Sequence, residues 1–171
     1  MEGLRRFLEG DGTVILDGAM GTELDRRGAA GRCEANLRAP EAVLAVHRDY
    51  LAAGSGAILT NTLTMNRLFI EDHGLGIDLR AVNLAGARIA REACAGRALV
   101  LGNLSSTGRL LEPYGSATER ELIDAFREQA ECLLEGGVDG FAVETMMDLR
   151  EAVCAVRGCR AAARSEEHTS E

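Results

Sequence analysis

Short apolar runs alternate along this chain with longer stretches in which apolar residues recur at helical spacing. The apolar runs comprise residues 13–16, 57–60, 98–101 and 141–143. Each run is short and almost uniformly apolar, which is typical of parallel strands that helices cover on at least one side. We therefore predict four strands.

The stretches that follow the runs predict four helices. Pro40 suits the first turn of one helix, and Asp78 is the expected N-cap of the next. Residues 118–121 (TERE) have the spacing of a capping box at the start of a third helix. The fourth helix is marked by the apolar positions Leu149, Ala152, Val153 and Val156. Strands and helices alternate, so the pattern predicts an α/β protein with four βα units.

Polar residues at the ends of the predicted strands suggest where a ligand binds. They are Asp17, then Thr60 with Asn61, then Asn103, then Glu144. The links from strand to helix are also longer than those from helix to strand. Both features indicate an active site at the carboxyl ends of the strands, as in a (β/α)8 barrel. A doubly wound open sheet places its site at the same end, so this pattern alone leaves both folds open.

Asp17 and Glu144 each follow at least three apolar residues. A carboxylate in that position is partly desolvated and requires a cationic partner. The sequence contains no lysine, and no arginine is adjacent to either residue. We therefore interpret both as groups that face a ligand ammonium. Asn61 and Asn103 are as consistent with turn caps as with ligand contacts.

A glycine-rich segment, Gly18-Ala19-Met20-Gly21, follows the first strand. It lacks the spacing of a dinucleotide fingerprint, and the chain has no Walker lysine. Small residues there allow backbone N–H groups to approach an anion such as a carboxylate. Two carboxylates for an amine and amides for a carboxylate together predict an amino-acid site.

The composition of the chain argues against a nucleic-acid-binding or membrane-spanning protein. The 171 residues are 46% hydrophobic with a net charge of −8, which suits one domain with a core and argues against a nucleic-acid partner. No apolar run approaches the ~20 residues of a membrane span, so we expect a cytoplasmic protein that acts on a small molecule. The cysteines have no C-x2-C spacing and are predicted to be buried structural residues: Cys33, Cys94, Cys132, Cys154 and Cys159.

Seven motifs occur along the chain in a specific order. They are residues 16–24 (LDGAMGTEL), 47–54 (HRDYLAAG), 59–63 (LTNTL) with Asn66, 107–113 (TGRLLEP), 126–129 (FREQ), 136–139 (GGVD), and 143–146 (VETM) with 148–152 (DLREA). In this order the motifs resemble the homocysteine S-methyltransferase family. That family includes the homocysteine domain of cobalamin-dependent methionine synthase and betaine–homocysteine methyltransferase. The resemblance extends from about Gly12 to Arg157.

The resemblance implies a TIM (β/α)8 barrel, truncated here after about four βα units within residues 1–163. It also implies methyl transfer to homocysteine, giving methionine. Asp17 and Glu144 match the residues that hold the amino group of homocysteine, and the amides of Gly18 and Ala19 match those that hold its carboxylate. With the strand-end residues added, the predicted substrate-binding set is Asp17, Gly18, Ala19, Thr60, Asn61, Asn103 and Glu144.

In the family, a zinc ion held by three cysteine thiolates activates the homocysteine thiol. Those cysteines belong to later strands, and none of the five in this chain matches them, so we expect no catalytic or metal-binding residue here. Four strands of a barrel leave two unpaired edges, so the chain alone is predicted to be poorly soluble and inactive. Candidate methyl donors are methylcobalamin, betaine and S-methylmethionine, and residues 107–113 favour the corrinoid-linked branch.

Two other functions fit the sequence. Another barrel enzyme, such as a pterin-dependent transferase or an aldolase, would require a Schiff-base lysine or a phosphate-binding glycine loop. This half of the barrel has neither, and the other half could still hold one. A non-catalytic half-barrel that serves as a binding scaffold would form a well-defined dimer.

Residues 164–171 (RSEEHTSE) contain no alanine, glycine or other apolar residue, unlike the rest of the chain. We interpret them as a non-native tail translated from a sequencing adapter, with the native sequence ending near Ala163. A genomic sequence that continues through Glu171 would contradict this.

Overall fold

The computed structural model describes residue 9 and residues 13–29 and 31–169. Gly12, where the family resemblance begins, lies outside these ranges, as do the last two residues of the predicted tail. The helix that enters the tail continues to Thr169, and whether the tail is native stays a prediction.

Three parallel strands form the sheet in sequence order. They are β1 (Ala57–Leu59), β2 (Leu99–Leu104) and β3 (Gly140–Val143). In the register, Ala57 lies opposite Leu99, and Leu104 lies opposite Val143. Sequential parallel strands require a crossover helix between each pair, so the predicted βα order is confirmed for these three strands.

The first predicted strand, at residues 13–16, is only partly formed. Leu16 makes one isolated parallel bridge with Ala57, and the Ile15 carbonyl accepts from the Gly56 N–H at 2.9 Å. Ile15 is 61% exposed. The segment therefore lies in the position of a strand beside β1, but it has too few ladder bonds to be one.

The third strand was predicted to end at Leu101, and that bound was wrong. β2 extends three residues beyond Leu101, because residues 102–104 pair with residues 141–143 of β3. Asn103 therefore lies inside a strand, opposite Ala142. The pairing partner is distant in sequence, and a local apolar pattern cannot reveal it.

Helices flank the sheet and also fill the long links. In chain order they are α1 (Met20–Arg26), a 3₁₀ turn (Arg32–Glu34), α2 (Ala35–Arg38), α3 (Pro40–Ala52), α4 (Arg67–Asp72), α5 (Leu79–Cys94), α6 (Glu119–Glu135) and α7 (Leu149–Thr169). The predicted Asp78 cap and the capping box at the start of α6 are confirmed. The short helices α1, α2 and α4 were not predicted, since each lies in a segment taken as a loop.

Helix α7 forms where it was predicted, but the large apolar residues that marked it do not form its buried face. Leu149 is 80% exposed and Val153 is 41% exposed. The buried side instead carries small residues, with Cys154 and Gly158 among them. A Cβ atom on Gly158 would lie 2.8 Å from the Ile123 carbonyl oxygen, so the small face allows α7 to pack closely against α6.

The main core lies between the sheet and helices α5 to α7. Its largest fully buried side chains include Phe126, Ile58 and Leu104. All five cysteines are buried and free, which confirms the expectation that they are structural. Within the described part of the chain, no helix is both long and apolar enough to cross a membrane.

Candidate active site at the carboxyl ends of the strands

The two predicted carboxylates lie at the same end of the sheet. Asp17 follows the Leu16 bridge, and its side chain is only 3% exposed. Both Asp17 carboxylate oxygens accept from the Leu59 N–H, at 3.2 and 3.1 Å. Glu144 follows β3, and its N–H donates to the Leu104 carbonyl at 3.1 Å. Backbone ladders thus fix the positions of both residues.

The electrostatics of Asp17 show that the two carboxylates interact. Burial raises the pKa of Asp17 from 3.8 to about 6, the Leu59 N–H opposes this shift, and the charge of Glu144 adds to it. Among the described residues, neither carboxylate forms an ion pair with an arginine. At neutral pH the site therefore concentrates negative charge that a bound cation would neutralise.

Tyr50, on α3, holds the glycine-rich segment in place. Its hydroxyl donates to the Ala19 carbonyl at 3.2 Å, and a Cβ atom on Gly18 would lie 2.9 Å from the same hydroxyl. A side chain at residue 18 would therefore require the tyrosine ring to move. Ala19 is the N-cap of α1 and provides no side-chain cap, so the first amides of α1 have no side-chain acceptor.

Thr60 and Asn61 use their side chains within the protein. The Thr60 hydroxyl accepts from the Asn103 N–H at 2.9 Å and lies 2.6 Å from the Thr62 hydroxyl. The Asn61 amide donates to the Arg32 carbonyl at 2.8 Å and to the Asn36 side chain at 3.0 Å. These bonds tie β1 to β2 and to the preceding loop. A direct ligand contact by either residue stays a prediction.

Asn103 differs from these two residues, because its side-chain oxygen is buried and has no hydrogen-bond partner among residues 13–29 and 31–169. A buried acceptor that lacks a donor costs about 1–3 kcal/mol. The orphaned oxygen is consistent with a ligand donor at this position. The contact itself stays a prediction.

The chain matches a known protein family. The family model for homocysteine S-methyltransferase matches residues 14–169, nearly all of the chain. The chain belongs to the homocysteine S-methyltransferase family. This confirms the resemblance drawn from the seven motifs.

Members of the homocysteine S-methyltransferase family are similar to this chain in sequence and in structure. Methionine synthase of Mycobacterium tuberculosis (strain ATCC 25618 / H37Rv) is 34% identical over 164 residues, covering 87% of this chain and 14% of that protein. Betaine--homocysteine S-methyltransferase 1 of Sus scrofa is 34% identical over 169 residues, covering 94% of this chain and 60% of that protein. The metallated form of the Escherichia coli homocysteine methyltransferase MmuM has a TM-score of 0.76 at 26% identity, covering 94% of this chain and 63% of that one. The chain thus spans less than two thirds of each relative.

The described residues do not fit a zinc site of the homocysteine S-methyltransferase type. No group of three or more histidine, cysteine, aspartate or glutamate side chains lies close enough to hold a metal ion in the described part of the chain. Burial raises the pKa of the Cys132 thiol to about 11 and that of Cys159 to about 12, so both are neutral thiols packed in the protein near pH 7. These cysteines are packing residues.

The sequence patterns missed two buried residues beside the site. His47, on α3, is fully buried, and its Nδ1 lies 4.0 Å from an Asp17 oxygen. Glu151, on α7, is 3% exposed and accepts from the Thr107 N–H and hydroxyl, both at 2.7 Å. Both residues lie within the family motifs, and a charged or polar residue on the buried side of a helix is the signal that identifies them.

The backbone directly after Glu144 is strained. Thr145 has a φ of 54°, a left-handed conformation that a β-branched residue rarely adopts. The Thr145 carbonyl accepts from the Ser105 hydroxyl at 3.2 Å, which ties this turn to the end of β2. Such strain costs about 1–3 kcal/mol and is concentrated at functional sites, which fits a role for Glu144 in ligand binding.

Proposed function

We propose that the full-length protein containing this chain is a homocysteine S-methyltransferase that transfers a methyl group to the sulfur of homocysteine and gives methionine. The observation that carries this proposal is the pair Asp17 and Glu144. They are two interacting carboxylates at the strand ends that form no ion pair with an arginine in the described ranges. The names of the similar proteins, which include methionine synthase and betaine--homocysteine S-methyltransferase 1, agree with this substrate.

In this proposal, the residues of the chain bind and orient the amino-acid end of homocysteine. Asp17 and Glu144 bind the ammonium, which neutralises their mutual repulsion. The amides of Gly18 and Ala19 bind the carboxylate at the uncapped start of α1. Fixing both groups directs the side-chain sulfur away from them, toward the methyl donor. The S–CH3 bond then forms as the bond between the methyl group and the donor breaks.

The family resemblance also concerns two features that are not seen among the described residues: a complete barrel and a metal site. We propose that the chain forms four successive βα units of a (β/α)8 barrel and that the three zinc cysteines belong to protein outside it. The E. coli relative is named as a metallated form, which supports a metal in the family. The donor is one of methylcobalamin, betaine or S-methylmethionine, and assays with each in turn will identify it.

The test is calorimetric binding of homocysteine to the full-length protein and to its Asp17→Asn and Glu144→Gln variants. A charge-assisted contact is worth about 1.5–3 kcal/mol, so each variant should bind about tenfold to hundredfold more weakly. Glu135→Gln is the matched control, because Glu135 pairs with Arg80 on the surface. Unchanged affinity in both site variants would refute the proposal. So would equally tight binding of 4-mercaptobutyrate, which lacks the amino group.

A further inference from the structure

His47 is a buried histidine without a hydrogen bond to any described residue. Its side chain is fully buried, and in the described ranges neither ring nitrogen has a partner. A buried polar group left unpaired costs about 1–3 kcal/mol, and most buried polar side-chain atoms in folded proteins are paired. A leucine of similar volume would pack at this position without that cost. The histidine therefore requires a role in a state other than the free protein.

The nearest acidic group to His47 is the carboxylate of Asp17. The 4.0 Å between Nδ1 and the Asp17 Oδ2 is too long for a hydrogen bond but short enough to close by a small side-chain rotation. The Leu59 N–H is shared between both Asp17 oxygens at more than 3.0 Å, so no short bond fixes the rotation of the carboxylate. Burial lowers the pKa of His47 to about 4, so the ring is neutral near pH 7.

We propose that His47 is a positioning residue: when an amino acid binds, its Nδ1–H donates to Oδ2 of Asp17 and fixes the carboxylate so that Oδ1 faces the ligand ammonium. This inference rests on the proposed function, because it assumes that Asp17 binds the amino group. The ammonium neutralises the repulsion from Glu144 and keeps Asp17 ionised, which makes Asp17 a stronger acceptor. The bond gives the neutral ring a partner for its single N–H.

The direct test uses the unaltered full-length protein with ¹⁵N-labelled histidine. On saturation with homocysteine, the Nδ1–H proton of His47 should shift downfield and become protected from exchange with water. His73 provides an internal control, since it is exposed and its Nδ1 already lies 3.0 Å from the Phe69 carbonyl. The signals of His73 should not move. The same change should be absent in Asp17→Asn, where the charged acceptor is missing.

Two variants test the consequence for binding. His47→Leu should weaken homocysteine binding about tenfold to hundredfold, the value of a hydrogen bond to a charged group. His47→Asn places an amide N–H near the position of Nδ1, so it should bind homocysteine with most of the affinity of the unaltered protein. If His47 serves only in packing, His47→Leu should bind homocysteine more tightly than His47→Asn.

The outcomes separate the two proposals. If the unaltered protein binds homocysteine but the His47 resonances do not change, or if His47→Leu binds as tightly as the unaltered protein, the inference is overturned while the proposed function stands. If the unaltered protein does not bind homocysteine, the proposed function fails and this inference fails with it.

Discussion

Replacing Asp17 by asparagine separates the contribution of the carboxylate to binding from the cost of burying it. Burial raises its pKa from 3.8 to about 6. At 1.36 kcal/mol for each pKa unit, ionising Asp17 in the folded protein costs about 3 kcal/mol more than in the unfolded chain. Relaxation of the protein around the charge makes this an upper bound. Because the folded pKa is the higher one, the cost is absent below pH 3.8 and complete above pH 6.

Asparagine has nearly the same shape, has no charge and can still accept from the Leu59 N–H. We expect Asp17→Asn to raise the free energy of unfolding by about 1–3 kcal/mol near pH 8. The gain should shrink steadily as the pH falls from 6 toward 3.8, where Asp17 of the unaltered protein becomes protonated. The assay is urea unfolding of the full-length proteins at several pH values. The same variant should lose homocysteine affinity, so stability and binding change in opposite directions.

The titration of His47 does not disturb this comparison. Its pKa is lowered to about 4 in the folded protein, so both proteins lose stability between pH 6.5 and 4, and the loss cancels in the difference. Asp49→Asn is the control, since the Asp49 side chain is 69% exposed and pairs with Arg27. A gain that does not vary with pH, or an Asp17→Asn protein less stable than the unaltered one near pH 8, would refute the reasoning.

Five further substitutions, at four positions, test the packing around the site by changes in the free energy of unfolding. Gly158→Ala should cost about 1–3 kcal/mol because its Cβ meets the backbone of α6 at 2.8 Å, whereas Gly21→Ala, with no atom within 4 Å, should cost nothing. Glu151→Ala should cost about 2–4 kcal/mol by leaving buried donors of Thr107 unpaired, and Glu151→Gln should cost less. Val153→Glu should destabilise the full-length protein if the proposed barrel covers Val153, which is 41% exposed in this structure, and should be neutral, within about 0.5 kcal/mol, if that face stays exposed.

The features that the sequence predicted correctly are those that local interactions determine. The Asp78 cap is a bond between residues three apart, from the Ala81 N–H at 2.6 Å. The capping box of α6 is equally local. Strand cores at residues 57–59 and 141–143 are short apolar runs whose length and position between turn residues favour a strand. Such signals require no knowledge of the partner elements.

The features that the sequence did not predict depend on partners distant along the chain. Thirty positions separate His47 from Asp17, and Glu151 reaches a loop 44 positions earlier. The extension of β2 through Asn103 depends on its register with β3. The motifs placed Asp17 and Glu144 at one end of the sheet because parallel strands align their carboxyl ends. The motifs could not show that His47 lies beside Asp17 but is too far away to donate a hydrogen bond to it in the free protein.

Helix α7 shows why apolar periodicity alone can select the wrong face. Two stripes on this helix have helical spacing, one with Leu149, Val153 and Val156 and one with Cys154, Gly158 and Ala162. The first stripe is the more hydrophobic, yet its three residues are exposed. The second is buried because α6 approaches so closely that only small side chains fit between the helices. The shape of the partner helix therefore decides which face of α7 is buried. The large apolar residues of the first stripe stay exposed, and a further packing partner would cover them.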